Sequence, residues 1–328
     1  MNDSESAHSG TDAAETGRLH GVGEFLRENR RLLLVAVGLV LVATPFLVTS
    51  SVLFNISLVF VFGLLAFAAI VPIGYTGQLI LCQGALFGIG AYTFVKLAGG
   101  GLPGLLAVVA AVAVTGVVAN LLGRPAISTG GIYLGILTLA FNELFIISLN
   151  LFSGFTGGSQ GLTSPPLLPA LPVDESVALY FVVLAAFAVT YRLVARELRS
   201  ETGWAFLAVK ENPMVAESIG IDATQYRLRA FTLSGLVCGL AGGLYAPING
   251  YVTPTTFNLD ATIKILLAGV TGGIATPVGA LFGPGVVVLV PEYLRFLADY
   301  RLIVYGVLLI LLLVYLPSGI GGWLQREL

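Results

Sequence analysis

The chain has 328 residues, of which 56% are hydrophobic and 10% charged, with a mean hydropathy of +0.93. No water-soluble globular domain of this size normally carries that balance, so the composition indicates an integral membrane protein. The formal net charge of −2 selects no partner class, because residues 1–31 hold six carboxylates against four arginines and account for all of it.

Residues 1–31 read as a polar cytoplasmic tail that lacks the apolar surface to fold, ahead of a membrane domain filling 32–328. Both histidines, His8 and His20, lie in that tail. Imidazole-based zinc sites, general bases and proton relays are thereby removed from the membrane region.

Crossing a hydrocarbon core of about 30 Å takes about 20 apolar residues. Ten segments approach that length: 32–54, 56–73, 79–97, 102–123, 131–152, 177–194, 230–249, 261–281, 283–299 and 302–318. The predicted fold is all-α, a polytopic helix bundle of about ten spans. The first run is too long for a signal-peptide core of about 7–15 residues and reads as a retained anchor. The third is glycine-rich, the ninth carries Glu292, Arg295 and Asp299, and the tenth is short, so some of these are expected to be re-entrant or broken.

The third segment opens with GYTGQLILCQ, Gly74 to Gln83. Amides such as Gln78 and Gln83 beside a helix break either satisfy freed backbone groups or bond a zwitterionic solute. Cys82 and Cys238 sit far apart in apolar runs and read as small buried hydrophobes. In the fifth segment Glu143 is a carboxylate deep in a span, next to Asn142 and near Thr138. A mid-membrane charge costs about 2.5–3.5 kcal/mol on insertion scales, so it should face a cavity or a partner. Helical spacing groups Gly135, Leu139, Glu143 and Asn150 on one face. Pathway lining and backbone satisfaction are both open for this set.

The connection 153–176 has no Lys or Arg and much Gly, Ser and Pro, as suits an external loop. The polar loop 192–229 reads as two short capped helices. Thr202 is placed to cap one beginning at Gly203, and Asn212 to cap a second with Pro213 at its first position and Gly220 closing it. Its small apolar residues, rimmed by Glu211 and Glu217, suit a groove on a soluble partner; an amphipathic hairpin on the headgroups is the plainer alternative.

Thr76 to Gly90 (TGQLILCQGALFGIG) and Thr271 to Gly285 (TGGIATPVGALFGPG) share eight of fifteen positions without a gap. Chance similarity between glycine-rich motifs explains this as well as a repeat does. Assigned to the third and eighth segments, the two stretches run in opposite senses, as an inverted five-plus-five repeat would require.

With a cytoplasmic N-terminus, 12 of the 16 basic residues fall inside, and Lys96, Lys264, Arg295 and Arg301 come near outer ends of segments. The positive-inside rule therefore selects both termini as cytoplasmic. The three lysines follow Val or Ile, so no G-x-x-x-x-G-K phosphate loop exists, and no metal-spaced Cys/His motif is present. No cofactor is expected, the chain reads as no enzyme, and any use of ATP belongs to another polypeptide.

Several motifs in order from about Gly74 to Gly321 resemble the permease subunits of branched-chain amino-acid ABC importers, of the LivM type: GYTGQ with GALFGIGAYT, GIYLGILTLAFNE, TGGSQG, GWAFLAVKENPMVAESIGID, AGGLYA and GGIATPVGALFGP. The resemblance implies a multi-pass plasma-membrane protein paired with a sister permease, two cytoplasmic ATPase subunits and an external solute-binding protein. It implies that Gly203 to Asp222 couples to the ATPase, with Gly203, Glu211, Asn212, Ala216, Glu217 and Gly220 at the contact. Val215 stands where an alanine is the family's pattern. Gln78, Gln83, Thr138, Asn142 and Glu143 remain the candidates for the translocation pathway. Two other readings stay open: a permease for urea or short amides, and a proton-coupled carrier in which Glu143 titrates.

Overall fold

The computed structural model describes residues 39–45, 47–129, 131–169, 174–274, 276–294, 296, 300–316 and 319–322. The polar tail, the start of the first expected span and the charges Arg295, Asp299 and Arg326 lie outside the described residues.

Residues 39–45 are helical. Helix α1 (Ser50–Ala69) continues into a π-helical turn, Ile70–Tyr75, and after an irregular stretch α2 occupies Gln83–Gly99. Helices α3 (Gly104–Thr129) and α4 (Gly131–Leu151) follow, then α5 (Ser153–Thr156), a 3-10 turn and strand β1 (Leu162–Thr163). The chain proceeds through α6 (Glu175–Leu198), α7 (Glu201–Glu211), α8 (Pro213–Ser218) and α9 (Ala223–Asn249) to β2 (Tyr251–Val252). A 3-10 turn, Pro254–Phe257, leads to α10 (Leu259–Gly272), α11 (Gly279–Tyr293) and α12 (Arg301–Tyr315). β2 pairs antiparallel with β1, Val252 opposite Leu162.

The bundle is all-α apart from that ribbon. Among the described residues, five helical stretches are long and apolar enough to cross a membrane: Ser50–Tyr75, Gly104–Ile127, Gly131–Leu151, Glu175–Leu198 and Ala223–Asn249. Helices α2, α10, α11 and α12 have 17, 14, 15 and 15 residues. At 1.5 Å per residue these reach only about 21–26 Å. They flank the irregular stretches.

Several boundaries differ from the sequence reading, and three have a local cause. The first two segments part at Thr49, which is extended, and not at residue 55, because the hydroxyl run Thr49 to Ser51 interrupts the apolar pattern and Asn55 is accommodated within α1. The eighth stops at Gly272 and the ninth begins at Gly279, since Gly273 takes φ 111° and Pro277 follows. The first hairpin helix starts at Glu201 after extended Ser200, whose hydroxyl donates back to the Glu197 carbonyl at 2.6 Å; Thr202 is already inside it.

Helix α9 is the ruler of the molecule. The α7–α8 hairpin stands at its start and the β ribbon at its end. Along it small residues permit close backbone approach. Gly235 and Gly239 meet Ala119 and Thr115 of α3, while Gly242 meets the Phe87 carbonyl of α2. Buried Leu64, Phe67, Phe94 and Phe231 fill the centre.

Beyond β2 the chain turns back into the bundle. The Phe257 ring lies edge-on to Phe87 at 5.1 Å and near Tyr92 at 5.9 Å, and Thr262 reaches the Gly84 amide. Gly84 lies beside Asn142, halfway along α4. Helix α10 therefore begins at mid-depth and ends at the hairpin side, where the Ile274 carbonyl meets Gly74. Lys264, assigned from sequence to an outer segment end, is accordingly well inside the bundle's height.

Both halves of the internal echo coincide with a helix break, residues 77–82 in the first and, among the described residues, 273–274 and 276–278 in the second. Their leading threonines make the same bond: Thr76 to the Pro72 carbonyl at 2.8 Å and Thr271 to the Leu267 carbonyl at 2.6 Å. Helices α1 and α10 both descend to the hairpin side, and α2 and α11 both leave it. The two copies thus share one sense, which removes the opposed directions on which the inverted-repeat reading rested. The cause is the moved boundary: the second GALFG belongs to α11 and not to the preceding segment.

Helices α10 and α11 pack through glycine. A Cβ at Gly283 would overlap the Ala268 carbonyl, whereas one at Gly285 meets nothing within 4 Å. Gly283→Ala is expected to lower thermal stability in detergent by about 1–3 kcal/mol, with Gly285→Ala near neutral; equal melting curves for the two variants would contradict this packing.

Candidate functional site

The site grows from one proline. Pro72 has no N–H to give the Ala68 carbonyl, and the helix loosens there into its π turn. Ser234 of α9 supplies the missing donor, its hydroxyl 2.6 Å from that carbonyl. Three residues later the helix stops, and the carbonyl of Gly74 receives the Lys210 ammonium of α7 at 2.8 Å. Gly77 follows with φ 67°, the left-handed conformation that glycine adopts without strain, and lies against the Lys210 stem.

The next residues, 78–82, are irregular, and the start of α2 leaves backbone donors without intrahelical partners. Side chains from other helices answer them. Thr138 of α4 accepts from Leu81 N at 2.9 Å, Asn142 from Ala85 N at 2.7 Å, and Thr262 of α10 from Gly84 N at 3.0 Å. Thr138, Asn142 and Thr262 are fully buried. Of the two readings open for these residues, backbone satisfaction describes what Thr138 and Asn142 do.

The glutamines differ. Gln78 is buried, its Oε1 3.1 Å from the Thr76 hydroxyl and its Nε2 without a partner. Gln83 is wholly buried, and neither end of its amide has a partner among the described residues. A buried amide with no bond is costly, about 1–3 kcal/mol, so Gln83 holds bonding capacity that none of the described residues uses.

Glu143 stands apart. It is exposed, beside the exposed Ile136, Leu144 and Ile147 on the outer side of α4. The buried row of that helix is Leu134, Gly135, Thr138, Asn142 and Leu149, so adjacency in sequence placed Asn142 and Glu143 on different faces. The stripe expected through Gly135, Leu139, Glu143 and Asn150 does not form one face: Gly135 is buried, while Glu143 and Asn150 are exposed.

The hairpin is built as its residues require. Asn212 Oδ1 accepts from Met214 N at 3.1 Å and Val215 N at 3.2 Å, with Pro213 opening α8. Gly220 takes φ 86°. Buried Val209, Ala216 and Ala223 zip the hairpin together, and Gly203 is pressed on the Leu198 carbonyl where a Cβ would not fit. Gly203 and Ala216 therefore shape the hairpin from within. Outward it offers Trp204, Met214 (78% exposed), Val215 and Ile219, with Glu211, Glu217 and Gly220 also exposed.

Sequence reasoning missed Lys210, Ser234 and Thr262. The available signals were Pro72 within an apolar run and solitary hydroxyls in otherwise apolar helices, which point to a freed carbonyl or amide nearby.

Residues 51–313 match the family described as the branched-chain amino acid transport system permease component. The chain is 28% identical, over 89% of its length and 75% of theirs, to the high-affinity branched-chain amino acid transport system permease proteins LivM of Salmonella typhimurium and Escherichia coli. It is 30% identical to the fructose import permease protein FrcC of Rhizobium meliloti over 39% of this chain and 37% of that one. No solved structure is significantly similar to it.

The caps on α2 yield a contrast between neighbours. Asn142→Leu strands the Ala85 amide and is expected to cost about 1–3 kcal/mol, whereas Glu143→Gln should leave the melting temperature in detergent nearly unchanged; the reverse order would refute this division of roles.

Proposed function

This chain belongs to the family of branched-chain amino acid transport permease components, and from that premise we propose that it is the passive membrane half of an ATP-driven importer for branched-chain or related apolar amino acids. It is a transport component and not an enzyme. Cytoplasmic ATPase subunits drive it, a sister permease completes the pathway, and an external solute-binding protein delivers the cargo. Both termini and the hairpin face the cytoplasm. The similarity to amino-acid permeases over most of the chain favours this reading over a urea or amide carrier, and gives no support to a proton-coupled one.

The observation that carries the mechanism is the bond from Lys210 to Gly74. The hairpin offers an exposed apolar tip rimmed by Glu211 and Glu217, which suits a groove on the ATPase. The same hairpin grips, through Lys210, the carbonyl at which α1 breaks. A shift of the hairpin must move that break or part the bond, and a charge-assisted bond in a partly buried place resists parting. ATP-driven closure biases the pathway only through contacts that differ between its two states, and this link is one such contact. Gln78, Gln83, Thr138, Asn142 and Glu143 remain the proposed pathway set. Within it Thr138 and Asn142 hold the break, and exposed Glu143 faces the sister permease or the aqueous path, because lipid would leave its charge unanswered.

Glu217→Lys or Gly220→Val is expected to lower uptake and stimulated ATP hydrolysis while membrane insertion stays intact. Lys210→Met should keep the ATPase subunits in the purified complex yet reduce coupled uptake by about tenfold or more, the value of one charge-assisted bond, with Lys210→Arg retaining part of it. Normal uptake by all of these variants, or labelling that puts residues 203–221 outside the cell, would refute the lever.

A further inference from the structure

Between Phe87 and the ribbon side of the molecule, helices α1, α2, α9 and α10 enclose a cavity of about 250 Å³. Its walls are of three kinds. Leu58, Phe62, Phe87 and Ile265 make one apolar; Thr255, Thr256 and Asn258 make one polar and uncharged, able to bond either end of a zwitterion; Asp260 and Lys264 of α10 make the third charged. Residues four apart on a helix share a face, with Cβ atoms about 5–6 Å apart. These two nonetheless form no ion pair. Among the described residues Asp260 accepts only a long bond from Asn258 Nδ2, 3.3 Å, and both charged residues are exposed.

A neutral sugar needs neither charge, a simple cation or anion would meet one charge that repels it, and a hydrocarbon would meet both unfavourably. A molecule carrying an ammonium and a carboxylate on one carbon, with an apolar substituent, matches every wall. The volume lies below the roughly 300–1,000 Å³ of drug-sized sites, as befits a solute of about that size. We propose that this cavity binds a free apolar amino acid, its α-ammonium on Asp260, its α-carboxylate on Lys264 and its side chain against Phe62 and Phe87.

The position suits a station on a route. Helix α10 begins at mid-depth, so the charged pair lies below the ribbon end and above the breaks. One turn along α2 from Phe87 is Gln83, whose unpartnered amide is the next polar group toward the hairpin side. The inference rests on the importer reading above and adds to it a cargo site within this chain.

The test uses the complete permease–ATPase complex in nanodiscs, without the external binding protein, and reads thermal protection by L-leucine, by isocaproate, which lacks the ammonium, and by isoamylamine, which lacks the carboxylate. Leucine alone is expected to protect. Asp260→Asn and Lys264→Gln should each weaken that protection by about tenfold or more without shifting the ligand-free melting temperature, and Lys264→Arg should restore it. Equal protection by the charge-deficient analogues, or undiminished leucine protection of both variants, would overturn the site. Leucine uptake by the complex in vesicles, with ATP and the external binding protein supplied, separates the two levels: uptake without protection removes the site and leaves the importer standing, and no uptake removes both.

Discussion

The structure depends on one constraint: in a low-dielectric interior every backbone group released by a broken helix must find another partner. The chain breaks its helices at residues 77–82 and, among the described residues, at 273–274 and 276–278, and Pro72 loosens a third place. Each released group that is answered in the first break has a single identifiable donor or acceptor: Ser234, Lys210, Thr138, Asn142 and Thr262. These five side chains come from four different helices. The irregular segment is thus the point where α4, α7, α9 and α10 are tied to the joint between α1 and α2.

That arrangement explains why polar residues buried in an apolar bundle carry so little freedom to act as ligands. The Asn142 Oδ1 already accepts from Ala85 N and lies 3.4 Å from the Thr262 hydroxyl, which leaves chiefly its Nδ2 to offer a solute. The groups left for other work are those the backbone does not claim, and they are few: the amide of Gln83, the separated charges of Asp260 and Lys264, and Glu143 on the outside of α4. Residue type alone would have pooled all of them.

The sequence disclosed the composition-driven features well. The membrane class, the long spans and the hairpin caps at Asn212 and Gly220 were legible because they depend on local pattern: apolar runs, Asn followed by Pro, glycine at a helix end. Features decided by tertiary contact were not. The start of α7 shifted to Glu201 because Ser200 turns back on Glu197. Lys264 looked like a boundary lysine because nothing local says that residues 250–258 fold back into the bundle. The echo was visible, but its sense was not, since direction follows from where the breaks fall.

The two breaks also meet. Gly74 of the first lies against the Ile274 carbonyl of the second, with no room for a Cβ between them, and Gly74 is the residue whose carbonyl Lys210 holds. Close-packed interiors respond to displacement by switching between arrangements and not by yielding gradually. In the proposed lever, a movement of the hairpin is delivered to α1, α2, α10 and α11 at a single point. Because α2 and α11 leave that point in the same sense, one pull displaces both in the same direction along the bundle, and the cavity wall carried by α10 moves relative to its floor at Phe87. Opposed helices would have cancelled part of that displacement; parallel ones add it.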